Sequence, residues 1–177
     1  MKLKLLTFAI LCSFVAVKSF GQVEAGVENV HSIKVPLPFG VGYGYERALS
    51  RQITLNTELM LAGGYGGRYG AILVPTLRIE PRFYYNYLNR VARGKKVLNN
   101  SASFLSLSIE NSFNTYLTYD DVKKGTNLIS IIPKWGLRKT IGQNFFFEGA
   151  IGLGTSYSKL NKFKVVPSLD LRLGYTF

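Results

Sequence analysis

The residue types that carry most enzyme chemistry are scarce in this 177-residue chain. It holds one cysteine, Cys12, and one histidine, His31. A lone imidazole cannot build a zinc site, and a lone thiol cannot form a disulfide within the chain. A serine nucleophile needs a base within reach. Only Ser32 adjoins His31, and adjacent residues on an extended strand point to opposite faces, so the pair is poorly placed as a dyad. The run Gly63-Gly64-Tyr65-Gly66-Gly67 is rich in glycine, but no helix follows to receive a phosphate, and it reads as a flexible hairpin loop. No catalytic residue, metal or cofactor is expected.

Ionic chemistry remains, and its spacing is regular. Glu24, Glu28, Glu46, Glu58, Arg78, Glu80, Arg82, Glu110, Lys134, Arg138, Glu148, Lys164, Asp170 and Arg172 all stand at even positions. Val41, Leu55, Leu59, Leu73, Leu77, Leu105, Leu107, Ile109, Ile131, Leu137, Ile151, Leu153, Leu169, Leu171 and Leu173 stand at odd ones. A period of two is the signature of β-strands with two unlike faces. Arg47, beside a turn, breaks the rule. The charged face is nearly balanced, eight acids against six bases, as a paired network requires. Between the charges stand small residues such as Gly40, Gly42, Gly44, Ser106, Ser108, Gly152 and Gly154, suited to a crowded interior.

The elements that must position these charges are eight segments, near 22–31, 39–48, 52–63, 71–85, 102–115, 127–138, 145–157 and 164–177. Most have the roughly 9 to 11 residues, or slightly more, with which a tilted strand crosses a bilayer. Ala48 to Arg51 and Lys139 to Asn144 read as tight turns, Gly64 to Gly70 and Leu117 to Thr126 as looser connections, and Asn86 to Ser101 as a long basic one. Pro75, Pro81, Pro133 and Pro167 conflict with this pattern, because a proline inside a paired strand removes a ladder hydrogen bond.

The start of the chain reads differently. Lys2 and Lys4 precede an apolar run from Leu5 to Val17, and Ser19-Phe20-Gly21 places small residues before Gln22. That is the layout of a secretory signal over 1–21, too short for a membrane helix, and it contains Cys12. The domain expected is then 22–177. The formal charge of +12 falls to +9 without Lys2, Lys4 and Lys18. On an exported chain it points to anionic lipid headgroups and away from nucleic acid.

A soluble barrel alternates too, with its apolar residues inward. The inverted arrangement is favoured here, because the charges balance and aromatic residues collect near strand ends. Tyr45, Phe83, Tyr85, Phe145, Phe147 and Tyr175 mark one end, and Phe39, Tyr65, Tyr69, Phe113, Tyr116, Tyr157 and Phe163 the other. The expected fold is all-β, an antiparallel up-and-down transmembrane barrel of about eight strands with its apolar face to lipid and a charged interior. That interior network is expected to comprise Glu46, Glu58, Arg78, Glu80, Arg82, Glu110, Lys134, Arg138, Glu148, Asp170 and Arg172.

The signal, the alternation and the final Leu171-x-Leu173-x-Tyr175-x-Phe177 together resemble the small outer-membrane β-barrels of OmpA/OmpX type over the whole of 22–177. The resemblance implies an integral outer-membrane protein of a Gram-negative envelope. It also implies that Leu171, Leu173, Tyr175 and Phe177 form the signal read by the barrel-assembly machinery. No peptidoglycan-binding domain follows, so the tethering role of two-domain members is not expected. Eight strands leave an interior just filled by side chains, so a plugged barrel with a structural or binding role is expected. A narrow ion or small-solute channel and a lipid A-modifying enzyme are the alternatives. The expected partners are outer-membrane lipid and lipopolysaccharide. A further envelope protein is expected on the basic loop residues Arg90, Arg93, Lys95 and Lys96.

Overall fold

The structure is a computed structural model that describes residues 26–65, 71–113, 115–118, 122–124, 127–159 and 162–177. The segment 1–21 lies outside them. Ten strands form: β1 (Val30–Pro36), β2 (Gly40–Ala48), β3 (Ile53–Tyr65), β4 (Ala71–Phe83), β5 (Ser103–Ser112), β6 (Thr115–Thr118), β7 (Val122–Lys124), β8 (Leu128–Ile141), β9 (Phe145–Ser158) and β10 (Lys162–Thr176). A short helix α1 (Tyr87–Ala92) and a 3-10 turn (Leu98–Asn100) lie between β4 and β5.

Every strand pairs antiparallel with its neighbours in the order β3-β2-β1-β10-β9-β8-β5-β4, and a β3–β4 ladder closes the ring. The wall therefore has eight strands. β6 prolongs β5 along β4, and β7 pairs with β6, so these two make a hairpin beyond the wall. The ladders are strongly staggered. Followed around the wall, Lys34 leads through Gly42, Met60, Thr76, Ser112, Leu128 and Ser158 to Lys162. That is twelve residues along β10 from Gly174, which Lys34 faces directly. Such a stagger tilts the strands against the barrel axis.

Period-two alternation sorts the side chains as the sequence suggests. Ile33, Val41, Leu59, Leu105, Ile109, Trp135, Ile151 and Leu173 are exposed on the outer wall, while Glu46, Glu58, Glu80, Arg82, Lys134 and Glu148 are buried inside. The first segment needs correction. The strand runs over Val30–Pro36 instead of 22–31. Glu28 is exposed ahead of it, Glu24 lies outside the described residues, and Lys34, expected outside, is buried in the interior. Lys164, expected inside, is exposed near the start of β10.

Three of the four prolines coincide with a gap in one of their two ladders. The β4–β5 register skips from Ile79↔Ile109 to Arg82↔Ser106 at Pro81, and the β8–β9 register from Ile131↔Thr155 to Lys134↔Gly152 at Pro133. Pro75 lies at the break between β5 and β6, where its carbonyl still accepts the Phe113 N–H at 2.9 Å. At Pro167 the ladder to β9 is unbroken. The Leu171 carbonyl accepts from Leu37 N–H, so odd residues of β10 direct their backbone groups toward β1. Pro167 does the same, and β1 ends below its level. The missing N–H of Pro167 thus falls where no partner stands, whereas Pro75, Pro81 and Pro133 each cost pairing within an otherwise continuous wall.

Candidate functional site

Polar and charged side chains of the described residues converge in the interior. Among the described residues six acids, Glu46, Glu58, Glu80, Glu110, Glu148 and Asp170, meet six bases, Lys34, Arg78, Arg82, Lys134, Arg138 and Arg172. Their charges cancel. The residue missing from the sequence reading was Lys34, whose parity matched the charged face but whose strand was drawn too early.

Two halves can be traced. Toward the end that carries Phe177, Glu148 accepts from Arg82 Nη1 and Nη2 at 2.9 and 3.0 Å, and from Arg138 Nε and Nη2 at 2.9 and 2.6 Å. Glu80 accepts from Arg82 Nη2 at 2.6 Å and from Ser106 Oγ at 2.7 Å. Glu46 Oε1 accepts from Thr54 and Tyr84, each at 2.7 Å. Its Oε2 lies 2.8 Å from Arg138 Nη1 as an ionic contact outside hydrogen-bond geometry. In the other half Glu58 receives Lys34 Nζ, Asn56 Nδ2 and Arg78 Nη1. Lys134 Nζ bridges Glu110 and Asp170, 2.8 Å from each. Arg172 Nη1 joins the halves, 3.1 Å from both Glu58 Oε2 and Glu148 Oε1. Buried charges persist only when paired and hydrogen-bonded, and this set meets that condition. A void of about 10 Å3 beside Lys34, Glu58 and Arg172 is barely water-sized.

The network is sealed toward the chain's end. The Arg82 and Arg138 guanidinium groups lie over the rings of Phe104 and Phe146, at 4.5 and 4.8 Å from their centroids. Those rings occupy space that only glycine leaves on the facing strands. A Cβ on Gly136 would stand 2.4 Å from Phe104, and one on Gly174 2.1 Å from Phe146. Beneath them Val27, Tyr84, Tyr87, Ala102, Phe104 and Ala150 form an apolar core.

The long basic connection folds over this core. The Tyr87 hydroxyl donates to Gly26 O at 2.7 Å, Thr140 Oγ1 to Leu98 O at 2.7 Å, and Asn99 Nδ2 to Gln143 O at 2.7 Å. Asn100 exchanges two hydrogen bonds with the Glu28 backbone. Asn99 and Asn100 have φ of 53° and 60°, the left-handed region in which asparagine is enriched. Two of the four basic loop residues help to hold this cap: Arg90 Nη2 donates to Lys96 O at 3.0 Å, and Lys96 Nζ to Gly142 O. Arg93 and Lys95 are exposed.

His31 and Ser32 point to opposite sides of the wall. Ser32 is buried inside, while His31 Nδ1 lies 2.6 Å from the Tyr43 hydroxyl outside and its ring stacks on Tyr45 at 4.5 Å. Of the terminal motif, Leu171, Leu173, Tyr175 and Phe177 all face outward. Tyr175 meets Phe145 at 5.1 Å, and Phe177 N–H donates to His31 O at 3.2 Å.

These features define an all-β, eight-stranded, antiparallel closed barrel with a charged interior. No family model, curated protein or solved structure matches this chain.

Proposed function

We propose that the protein is a small integral outer-membrane β-barrel of OmpA/OmpX type whose side chains plug its interior, with a structural or binding role in the envelope. The observation that carries this reading is the inverted distribution of side chains. The outer wall carries Ile33, Leu59, Leu107, Ile131, Leu153 and Leu169 in the open, as lipid requires. The six acids inside are matched by six bases, so the interior is neutral without mobile counter-ions. Planar-bilayer conductance of the purified protein tests the plug: no sustained current is expected, and stable open channels would turn the same network into an ion path. Catalysis on lipid A is disfavoured, because His31 and Ser32 lie on opposite sides of the wall. An unchanged acyl pattern of lipid A in cells lacking the gene is the expected outcome.

The binding surface we propose is narrower than the four basic loop residues. Arg90 and Lys96 brace the cap, which leaves Arg93 and Lys95 as the exposed charges that an envelope partner would meet. Arg93→Glu with Lys95→Glu should leave heat-modifiable gel migration unchanged and abolish a co-purifying partner. The same partners on both proteins would remove this surface from consideration.

A further inference from the structure

The barrel wall is lower on one side than on the others. β1 stops at Pro36 and β2 starts at Gly40, whereas β3 runs on to Tyr65 and β10 begins as far up as Lys162. β1 pairs with β10 only over Arg172–Thr176, extended by the Leu37–Leu171 hydrogen bond. Nine residues of β10, Lys162 to Asp170, therefore have no strand on that side among the described residues. The gap is two strands wide, so about 14 Å separates the axes of β10 and β3 across it. Phe39 protects the β3 side, where its carbonyl accepts Gly63 N–H at 2.9 Å and its ring lies against Gly63. Among the described residues no strand covers the β10 side. Odd residues of β10 aim their backbone groups into the gap. The N–H groups of Phe163, Val165 and Leu169 and the carbonyls of all four odd residues, Pro167 included, face it.

Two occupants of different chemistry could satisfy such an edge: an added peptide strand or a lipid. The edge is built against a strand. Pro167 removes an N–H from the row, and Lys162 and Lys164 stand at its upper end; both devices block strand addition. It is well suited to an amphiphile. Phe163, Val165 and Leu169 are the three most exposed large apolar side chains among the described residues, at 77, 69 and 68 %. Lys159, Lys162 and Lys164, all exposed, stand at the same end of the notch, Lys164 on its inner face by the alternation of the strand. Asp170, the one described acid on β10, is already held by Lys134 and Arg172. Below the gap, on the same β1–β10 seam, an apolar groove of about 410 Å3 is lined by Ile33, Val35, Leu173 and Tyr175. In hydrocarbon an unsatisfied backbone edge is costly, and a headgroup oxygen that accepts from it removes that cost.

We propose that this notch is a lipid site: an anionic headgroup lies on Lys159, Lys162 and Lys164 and accepts from the β10 edge, and an acyl chain runs along Phe163, Val165 and Leu169 toward the groove below. The inference rests on the membrane reading, and its test keeps the two apart. The full chain is folded into phosphatidylcholine vesicles containing one-tenth dimyristoylphosphatidylglycerol. Insertion is scored by heat-modifiable migration, and retained lipid by native mass spectrometry after mild detergent extraction. The expected result is one phosphatidylglycerol retained, not displaced by inorganic phosphate. Retention should weaken ten- to hundred-fold in the Lys159→Gln, Lys162→Gln, Lys164→Gln variant, since each lysine near an anionic surface contributes roughly fivefold. Lys139→Gln, exposed at the opposite end, should leave it unchanged. Failure to insert refutes the membrane reading. Insertion with no retained lipid, with equal loss in both variants, or with displacement by phosphate, refutes the site alone.

Discussion

Glu148 is, with Glu58, one of the two most heavily used acceptors of the interior among the described residues, and its replacement by glutamine probes the network with little change of shape. The carboxylate accepts five hydrogen bonds from three guanidinium groups: two each from Arg82 and Arg138, and one from Arg172. Glutamine keeps one acceptor oxygen but turns a donor amide toward groups that can only donate. It also leaves the interior with an uncompensated positive charge. The side chain is 2 % exposed, so solvent does little to screen that charge. Breaking one partner of a buried ion network costs about 3–5 kcal/mol, and Glu148→Gln should destabilise the barrel by that amount. Removing a base as well, in Glu148→Gln with Arg138→Gln, restores neutrality at five acids and five bases. The double variant should then be more stable than the sum of the single losses by about 1–3 kcal/mol. Urea unfolding in detergent micelles, followed by tryptophan fluorescence, measures both. A Glu148→Gln loss below about 1 kcal/mol, or strict additivity in the double variant, would refute the idea that these charges act as one neutral plug.

Further outcomes follow from the sealed end and from the revised first strand. Gly174→Val places a side chain where the Phe146 ring lies, and a loss of about 1–3 kcal/mol from overpacking is expected in the same unfolding assay. Amine acetylation of the folded protein followed by peptide mass spectrometry should spare Lys34 and Lys134, which are buried, and modify Lys95, Lys139 and Lys159, which are exposed. Burial raises the Tyr87 phenol to about 12, with Glu28 adding to the effect, and burial also holds the Tyr84 phenol above its ordinary value. A phenol raised in the fold contributes stability that is fully present below its unfolded value of about 10 and is lost as the pH climbs beyond it. Thermal unfolding should therefore weaken between pH ~10 and ~12, and Tyr87→Phe should flatten that dependence.

Much of the wall was legible because a barrel strand repeats one simple rule. Seven of the eight segments were located to within a few residues, and the inward parity of Glu46, Glu58, Arg78, Arg82, Glu148 and Arg172 could be read from alternation alone. The first strand was misplaced because Pro36 and Pro38 resemble a turn, and because Val30 puts an apolar side chain on the otherwise polar face. That exception belongs to the sealed end, where Val27, Phe104 and Phe146 are also buried; long-range packing sets it, and no local period records it. The proline conflict had the same origin. Pro81 and Pro133 remove pairs inside ladders whose register is unchanged on either side, and Pro167 faces the side where β1 has already ended, facts of pairing between distant segments. The cap from Tyr87 to Asn100 gave little warning, since α1 lacks a side-chain N-cap and is held by contacts from β8, β9 and the residues before β1.

The central claim is that the apolar wall faces lipid while the charges face inward. Trp135, the chain's only tryptophan, is half exposed on the outer wall, and its indole N–H donates to the Tyr85 hydroxyl at 3.0 Å. With the protein folded into vesicles, its fluorescence should be strongly quenched by lipids brominated on their acyl chains and insensitive to aqueous iodide. Quenching by iodide with no response to brominated lipid would place the wall in water and contradict the membrane reading.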